Sequence, residues 1–276
     1  MKIFVENGEV VFDGISDFDI AKTFDCGQCF RWNGDSDGAY VGVAFGHATR
    51  LQQDSSGVHI SCSLAEYEAI WKDYFDMERD YAAIRKKLCT DAFMQKATDF
   101  GAGIRILKQD KWEALCSFII SQNNHIPRIK KIVEALCSFF GEEVHFENKK
   151  HYTFPSAERL SQCSVDELSS LRCGYRAEYI IAAATAVTNK TLDLDALAKT
   201  TPEFAKYELM KIKGIGNKVA DCVLLFGLNM LNAFPIDVWI KRAIENHFDE
   251  SFNPQIFNPY AGIAQQYIFH YERNGL

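Results

Sequence analysis

The sequence predicts an α+β protein, with an antiparallel β-sheet domain at the N-terminus and an all-helical body after it. Three observations carry this. Up to about residue 63, apolar runs and alternations are broken by Gly, Asn, Asp and Ser turns, the signature of strands. Beyond that point the apolar spacing becomes three and four, the period of helices. Helix start and stop signals then recur to the end of the chain. We place the β-rich domain, with flanking helices, at residues 1–100 and the helical region at 101–276, whose first helices can pack with the N-terminal part.

The elements follow in order. "KIFVENGEVVF" is two apolar runs around Asn7-Gly8, a strong hairpin signal. "CFRWNGDSDGAYVGVAF", "HATRLQQ" and "GVHISC" continue the sheet. Asp110-x-x-Glu113 caps a helix with Trp112, Leu115, Phe118 and Ile119 on one face, ending near "SQNNH". Pro127 opens the next helix, with Ile129, Ile132, Val133, Leu136 and Phe140 apolar and Gly141 as its stop. Ser164-x-x-Glu167 is a second capping box. Thr201-Pro202 starts the helix leading into "KIKGIGNK", and Asn258-Pro259 starts the last one. No linker or low-complexity segment interrupts the chain.

Composition narrows the class. Hydrophobic residues at 47% and charged residues at 24% are those of an ordinary soluble globular protein. No apolar run approaches a membrane span, so no membrane partner is expected. The N-terminus reads as a strand rather than a signal peptide, which points to the cytoplasm. Nine cysteines, an odd number, sit mostly among apolar residues and read as reduced and buried. "CGQC" at 26–29 is the only C-x-x-C, and no second pair follows at zinc spacing. A metal or redox role therefore ranks below a structural one, and the four-cysteine run of an iron–sulfur cluster is absent. The net charge of −7 argues against broad nonspecific nucleic-acid binding. It leaves room for a local site built from backbone amides and a few arginines.

"LMKIKGIGNKVADC" carries the first chemistry. It is a helix, a tight turn with two glycines, then another helix. Gly214 and Gly216 let the backbone turn sharply and expose consecutive N–H groups at a helix start, which suits a phosphate. The third glycine of a dinucleotide fingerprint is missing, and the spacing is not that of a P-loop. Asn217 reads as the N-cap, which puts Lys218 at the first helical position. Cations are disfavoured there, so the site favours a neutral, nucleophilic amine able to form a Schiff base. The competing reading is a solvated lysine on an amphipathic helix. Cys222 lies one turn on, on the same face. In "AFPIDVWIKRAI", Asp237 reads as a helix N-cap. It also reads as a carboxylate able to stabilise a developing cation. The two roles are compatible.

Taken together these segments resemble the helix-hairpin-helix (HhH-GPD) base-excision DNA glycosylases. The match rests on "GIGNKVADC" followed by "FPIDVW", whose aspartate lies 19 residues after the lysine. Four more segments narrow the resemblance to the 8-oxoguanine DNA glycosylase/AP lyases, as a compact, prokaryote-like member. "CGQCFRW" (26–32) is similar to that family's N-terminal segment. "SQNNHIPRI" (121–129) and "CGYRAEYI" (173–180) are similar to its two DNA-probing loops. "AGIAQQYIF" (261–269) is similar to its base-pocket helix.

The resemblance implies roles. Lys218 is the nucleophile on C1′ and Asp237 its supporting carboxylate. Phe269 and Cys222 sandwich the flipped base, Gln265 bonds its Watson–Crick edge, and the Gly27 carbonyl accepts the N7–H that distinguishes 8-oxoguanine. Asn123, Tyr175 and Arg176, with Arg128 beside them, fill the gap and contact the orphaned cytosine. No cofactor is required. A structural cation at the hairpin, held by the carbonyls of Met210, Ile212 and Ile215, is an expectation of the same kind. The partner is double-stranded DNA with 8-oxoguanine opposite cytosine, acted on by a monomer in a prokaryotic cytoplasm. Two departures stand out. Trp239 replaces a histidine of the animal enzymes, and Lys213 replaces a proline before the hairpin glycine. The competing functions are a glycosylase of this fold for another damaged base, and a non-catalytic DNA-binding module.

The residues by themselves support part of this. Gln265 and Phe269 share a helix face, so one can bond a base edge while the other stacks on it. "GYRAEY" sets an aromatic wedge beside an arginine donor fork. The alternatives are an ordinary amphipathic face for Phe269 and a solvated helix start for Arg176.

Overall fold

The computed structural model describes residues 2–275. The N-terminal part holds β1 (Lys2–Glu6), β2 (Glu9–Asp13), α1 (Ile20–Asp25), β3 (Asn33–Gly34), β4 (Tyr40–Ala44), β5 (His47–Asp54) and β6 (Gly57–Ile60). A continuous helix follows as α2 (Leu64–Glu66), a π turn (Tyr67–Trp71) and α3 (Lys72–Tyr74). The body holds α4 (Tyr81–Leu88), α5 (Ala92–Phe100), α6 (Lys111–Ser121), α7 (Ile126–Phe140), β7 (Glu143–Phe146), β8 (Lys149–Tyr152), α8 (Ala157–Ser161), α9 (Val165–Ser170), α10 (Arg176–Thr188), α11 (Leu194–Leu197) and α12 (Pro202–Met210). It closes with α13 (Asn217–Phe226), α14 (Val238–His247), a 3-10 turn (Pro254–Phe257) and α15 (Ala261–Asn274).

The six strands form one antiparallel sheet in the order β1-β2-β6-β5-β4-β3. Asn7 and Gly8 both take positive φ, the pair of left-handed residues that a tight two-residue hairpin requires. Beneath the sheet, Phe24 stacks on Trp32 at 4.3 Å, and Trp71 stacks on Phe75 at 5.8 Å. The buried Trp32 indole N–H is satisfied by the Tyr74 hydroxyl at 2.8 Å.

A second apolar cluster unites the helices from α4 onward. Tyr81, Ile84, Leu88, Met94 and Ala97 of α4 and α5 belong to it, although they precede residue 100. The segment 26–32 lies on the seam: Cys26 and Phe30 pack into the helical cluster, Cys29 and Trp32 into the sheet cluster. Gln28 locks this seam. Its amide donates to the carbonyls of Thr23 (2.9 Å) and Arg105 (2.7 Å) and accepts from Leu107 N–H (2.9 Å).

Several sequence expectations change. Helix α1 and the β7–β8 hairpin have no counterpart in the sequence analysis, whereas the helix at 64–74 begins where the helical periodicity does. The last helix starts at Ala261, after a cis Asn258–Pro259 bond, rather than at that proline. The N-cap of α13 is Gly216, so Asn217 is its first residue and Lys218 its second. The remaining caps stand as expected: Asp110, Ser164 with Glu167, Thr201 and Asp237 all accept from amides of their own first turns.

Candidate active site

A cavity of about 740 Å³ opens where the Gly27 turn, the α6–α7 junction and the starts of α13 and α14 face α15. Lys218, Asp237, Gly27, Cys222, Gln265, Phe269 and Asn123 all line it. Residues up to 242 positions apart in sequence thus share one wall system, which no local periodicity could have dictated.

Lys218 is half-buried, and its Nζ donates to the Ser121 hydroxyl at 3.3 Å. The Ser121 hydroxyl in turn donates to the Phe118 carbonyl at 2.8 Å, so its lone pair faces the lysine. Nζ also lies 5.5 Å from the centre of the Phe118 ring. Cys222, one turn along, is buried, and its thiol is pushed up to about 11. Burial dominates that shift; the Lys218 side chain opposes it and the Asp237 carboxylate adds to it. Cys222 therefore stays a neutral, polarisable surface across the physiological range.

Asp237 caps α14 with one oxygen. Its Oδ1 accepts from Trp239 N–H at 3.0 Å and Ile240 N–H at 2.9 Å. Two amide donors fix the carboxylate in place at the cavity wall. Trp239 lines the cavity too, with the Arg242 guanidinium 4.8 Å over its ring.

The hairpin glycines differ in kind. Gly214 has φ +87°, and a Cβ there would sit 2.1 Å from the Tyr179 ring, so packing demands glycine. Gly216 has an ordinary φ and no protein atom within 4 Å of where a Cβ would lie. Space is thus open beside its amide, at the start of α13 and on the cavity wall. Lys213 is exposed and pairs with Glu178 at 2.6 Å. The turn is closed by Ile215 N–H donating to the Ile212 carbonyl at 3.1 Å.

Apolar side chains of Phe30, Phe118, Ile126 and Phe269 share the cavity with the lysine. Gly27 has φ +81°, a left-handed conformation. A Cβ there would lie 3.0 Å from Ile126 Cδ1 and 3.7 Å from the edge of Phe269. Gln265 is 4% exposed, and its Oε1 has no hydrogen-bond partner. An unpaired buried amide oxygen at a cavity wall is an acceptor open to a partner within the cavity. Gln266 has the same orphaned Oε1 on the same wall, a residue that the sequence reading passed over.

The two probing loops are tied together. Asn123 Nδ2 donates to the Tyr175 hydroxyl at 3.2 Å, and Tyr175 is half exposed. Arg176 is buried, not solvated. Its guanidinium donates to the carbonyls of Gln122, Asn123 and Cys173 and lies 4.5 Å over the Tyr175 ring. Arg128 is exposed in the first turn of α7. Tyr175, Arg128 and Arg176 lie outside the cavity lining; Tyr175 and Arg176 are tied to it through Asn123.

Cys26 is pushed up to about 12 and Cys29 also rises, both through burial, which leaves them inert thiols. All nine cysteines are free. Among the described residues no cluster of three His, Cys, Asp or Glu side chains could hold a metal, and no helix is long and apolar enough to cross a membrane. Sequence reasoning missed Ser121 and Gln28 as parts of the site, since their roles exist only across folded contacts. Ser121→Ala is expected to slow excision roughly tenfold through loss of the hydrogen bond that orients the amine, with DNA affinity unchanged, as read in single-turnover assays.

Residues 116–254 match the HhH-GPD superfamily base excision DNA repair protein model, and residues 11–115 match the 8-oxoguanine DNA glycosylase, N-terminal domain. The chain belongs to the HhH-GPD superfamily of base excision DNA repair proteins, with the N-terminal domain of its 8-oxoguanine DNA glycosylases. The N-glycosylase/DNA lyase OGG1 of Arabidopsis thaliana is 30% identical over 90% of this chain and 75% of its own length. An N-glycosylase/DNA lyase of Saccharomyces cerevisiae is 39% identical over 55% of this chain, a match spanning less than half, 43%, of the yeast protein. The Clostridium acetobutylicum 8-oxoguanine glycosylase/lyase was solved with double-stranded DNA containing cytosine opposite 8-oxoguanine. It superposes with a TM-score of 0.93 at 33% identity, over 100% of this chain and 98% of that one.

Proposed function

We propose that this protein is a bifunctional DNA glycosylase and abasic-site lyase that excises 8-oxoguanine from duplex DNA. The observation that carries the reading is the half-buried Lys218 amine in one cavity with an amide-fixed Asp237 carboxylate. The flipped nucleotide enters that cavity. The Lys218 amine, once its proton has left, bonds to C1′ as the glycosidic bond breaks, and the base leaves with the electron pair and takes up a proton. The sugar ring opens to a Schiff base. Loss of a C2′ proton then expels the 3′ phosphate, which cleaves the strand. The Asp237 carboxylate offsets the positive charge that develops at C1′. Its Oδ1 is already occupied by two amides, so Oδ2 is the oxygen turned to the sugar.

Base recognition falls to the opposite wall. Phe269 and Cys222 take the two faces of the base, Gln265 its Watson–Crick edge, and the Gly27 carbonyl its N7–H. The amides at Gly214 and Gly216 hold the DNA phosphate. A cation at the hairpin carbonyls, when bound, adds positive charge beside that phosphate. One copy carries every residue of the site, so excision needs only one. Nine free cysteines fit a reducing compartment, and a prokaryotic cytoplasm is the one proposed.

The base opposite the lesion is read by Arg128, with Asn123 and Tyr175 filling the gap. Arg176 joins when its fork exchanges the Gln122 carbonyl for the cytosine edge. Arg128→Ala should therefore lower the cytosine-over-adenine rate ratio about tenfold or more, the worth of a charged hydrogen bond, without loss of stability. Arg176→Ala should lower the ratio and also destabilise the fold by about 1–3 kcal/mol, because two loops lose their clip. Unchanged ratios in both would make these arginines phosphate contacts. The reading as a whole is tested by base release from duplexes holding 8-oxoguanine, an alkylated purine or thymine glycol. Preferential release of 8-oxoguanine is expected; preference for either other base would move the substrate assignment, and no release at all would leave a binding module.

A further inference from the structure

Strand β1 is the outer strand of the six-stranded sheet, and all five of its residues are exposed. Its three central side chains are apolar, with Ile3, Phe4 and Val5 at 40%, 42% and 51% exposure. An edge strand of this kind is an invitation to pair, and natural sheets usually blunt it. The backbone pattern says which groups are open. The two-residue turn makes Glu6 and Glu9 a hydrogen-bonded pair, and alternation then makes Phe4 and Lys2 bonded to β2 as well. The N–H and C=O groups of Ile3 and Val5 point away from the sheet.

The sequence of this edge, Lys-Ile-Phe-Val-Glu, is complementary to itself when read antiparallel. Centred on Phe4, it sets Ile3 opposite Val5 of a second copy, so the open groups on both strands meet as hydrogen-bonded pairs. Phe4 faces Phe4 of the second copy in the closer, non-bonded position. Lys2 faces Glu6 of the second copy at each end, giving two opposite-charge pairs. Centring on Ile3 or Val5 instead would put Lys2 or Glu6 against a phenylalanine. Charge, apolar contact and backbone pattern agree on one register.

We propose that β1 is a two-fold symmetric self-association edge, pairing antiparallel with β1 of a second copy to continue the sheet across two molecules. The surface involved is far smaller than the ~1,200 Å² of a stable interface. The dimer is therefore reversible and concentration-dependent, and it leaves both cavities independent. This inference does not rest on the excision reading.

Sedimentation velocity over a wide concentration range tests it, with three variants. Wild type is expected to shift toward a dimer as concentration rises. Lys2→Glu and Glu6→Lys each place like charges at both ends and should weaken association roughly tenfold. An equimolar mixture of those two variants restores both opposite-charge pairs and should recover dimer of mixed composition. Val5→Pro removes an outward N–H and should abolish association while DNA cleavage activity stays unchanged. A wild type that stays monomeric at every concentration overturns the proposal. So do single charge variants that associate normally, or a mixture no better than its parts.

Discussion

Lys218→Gln is expected to abolish base excision, a loss of at least about 10³-fold for removal of a nucleophile. It should also end covalent capture of DNA, while binding of damaged duplex changes only a few-fold. The separation follows from the geometry. In the proposed reading the phosphate grip comes from main-chain amides around Gly214 and Gly216, and the base walls from Phe269, Cys222 and Gln265, which line the cavity with Lys218; none of these depends on the amine. Glutamine keeps the stem that packs over Phe118 and can still meet the Ser121 hydroxyl. Single-turnover base release and equilibrium binding, measured on the same preparation, decide the matter. A variant that releases the base at the normal rate removes Lys218 from the chemistry.

Gly27→Ala carries the second large effect. The lesion differs from guanine at N7, where an acceptor has become a donor, so a carbonyl acceptor tells them apart. Leaving that carbonyl unpaired against guanine costs about 1–3 kcal/mol, a discrimination of roughly ten- to 100-fold from one main-chain atom. Alanine at φ +81° is strained by about 1 kcal/mol, which for a chain of this size lowers Tm by about 2–4 °C. Its methyl would also press on Ile126 at 3.0 Å and reach the slot beside Phe269. Excision of the lesion should fall on the order of 100-fold, far beyond what the stability change explains. Thermal melting together with excision kinetics separates the two; normal excision in a slightly less stable protein would contradict the Gly27 assignment.

Much of this site was legible because local rules and chemistry coincide in it. Asp237 caps its helix and faces the cavity for the same reason, a carboxylate held by two amides. The glycine turn and the lysine one turn before Cys222 are neighbours in sequence, so their grouping needed no tertiary contact. The hidden parts are those that folding alone creates. Arg176 reads in sequence as a free donor fork, yet its guanidinium is spent on the carbonyls of Gln122 and Asn123. Ser121 gives no signal beyond a polar helix end, and only packing sets it under Lys218. The switch to helical spacing near residue 63 coincides with the Ser63 cap, whose side chain accepts from Glu66 N–H. The β7–β8 hairpin turns at Glu147-Asn148, both at positive φ, and a glutamate there gives no turn signal.

The central claim is that the Lys218 amine attacks the sugar. Borohydride reduction during reaction with an 8-oxoguanine·cytosine duplex would freeze any Schiff base as a stable amine link. Proteolysis and mass spectrometry then locate the linked residue. The account predicts a deoxyribose-derived mass on Lys218 in the peptide that begins after Lys213, and none in Lys218→Gln. Adduct on another lysine, or excision that proceeds with no trapped species at all, would contradict it.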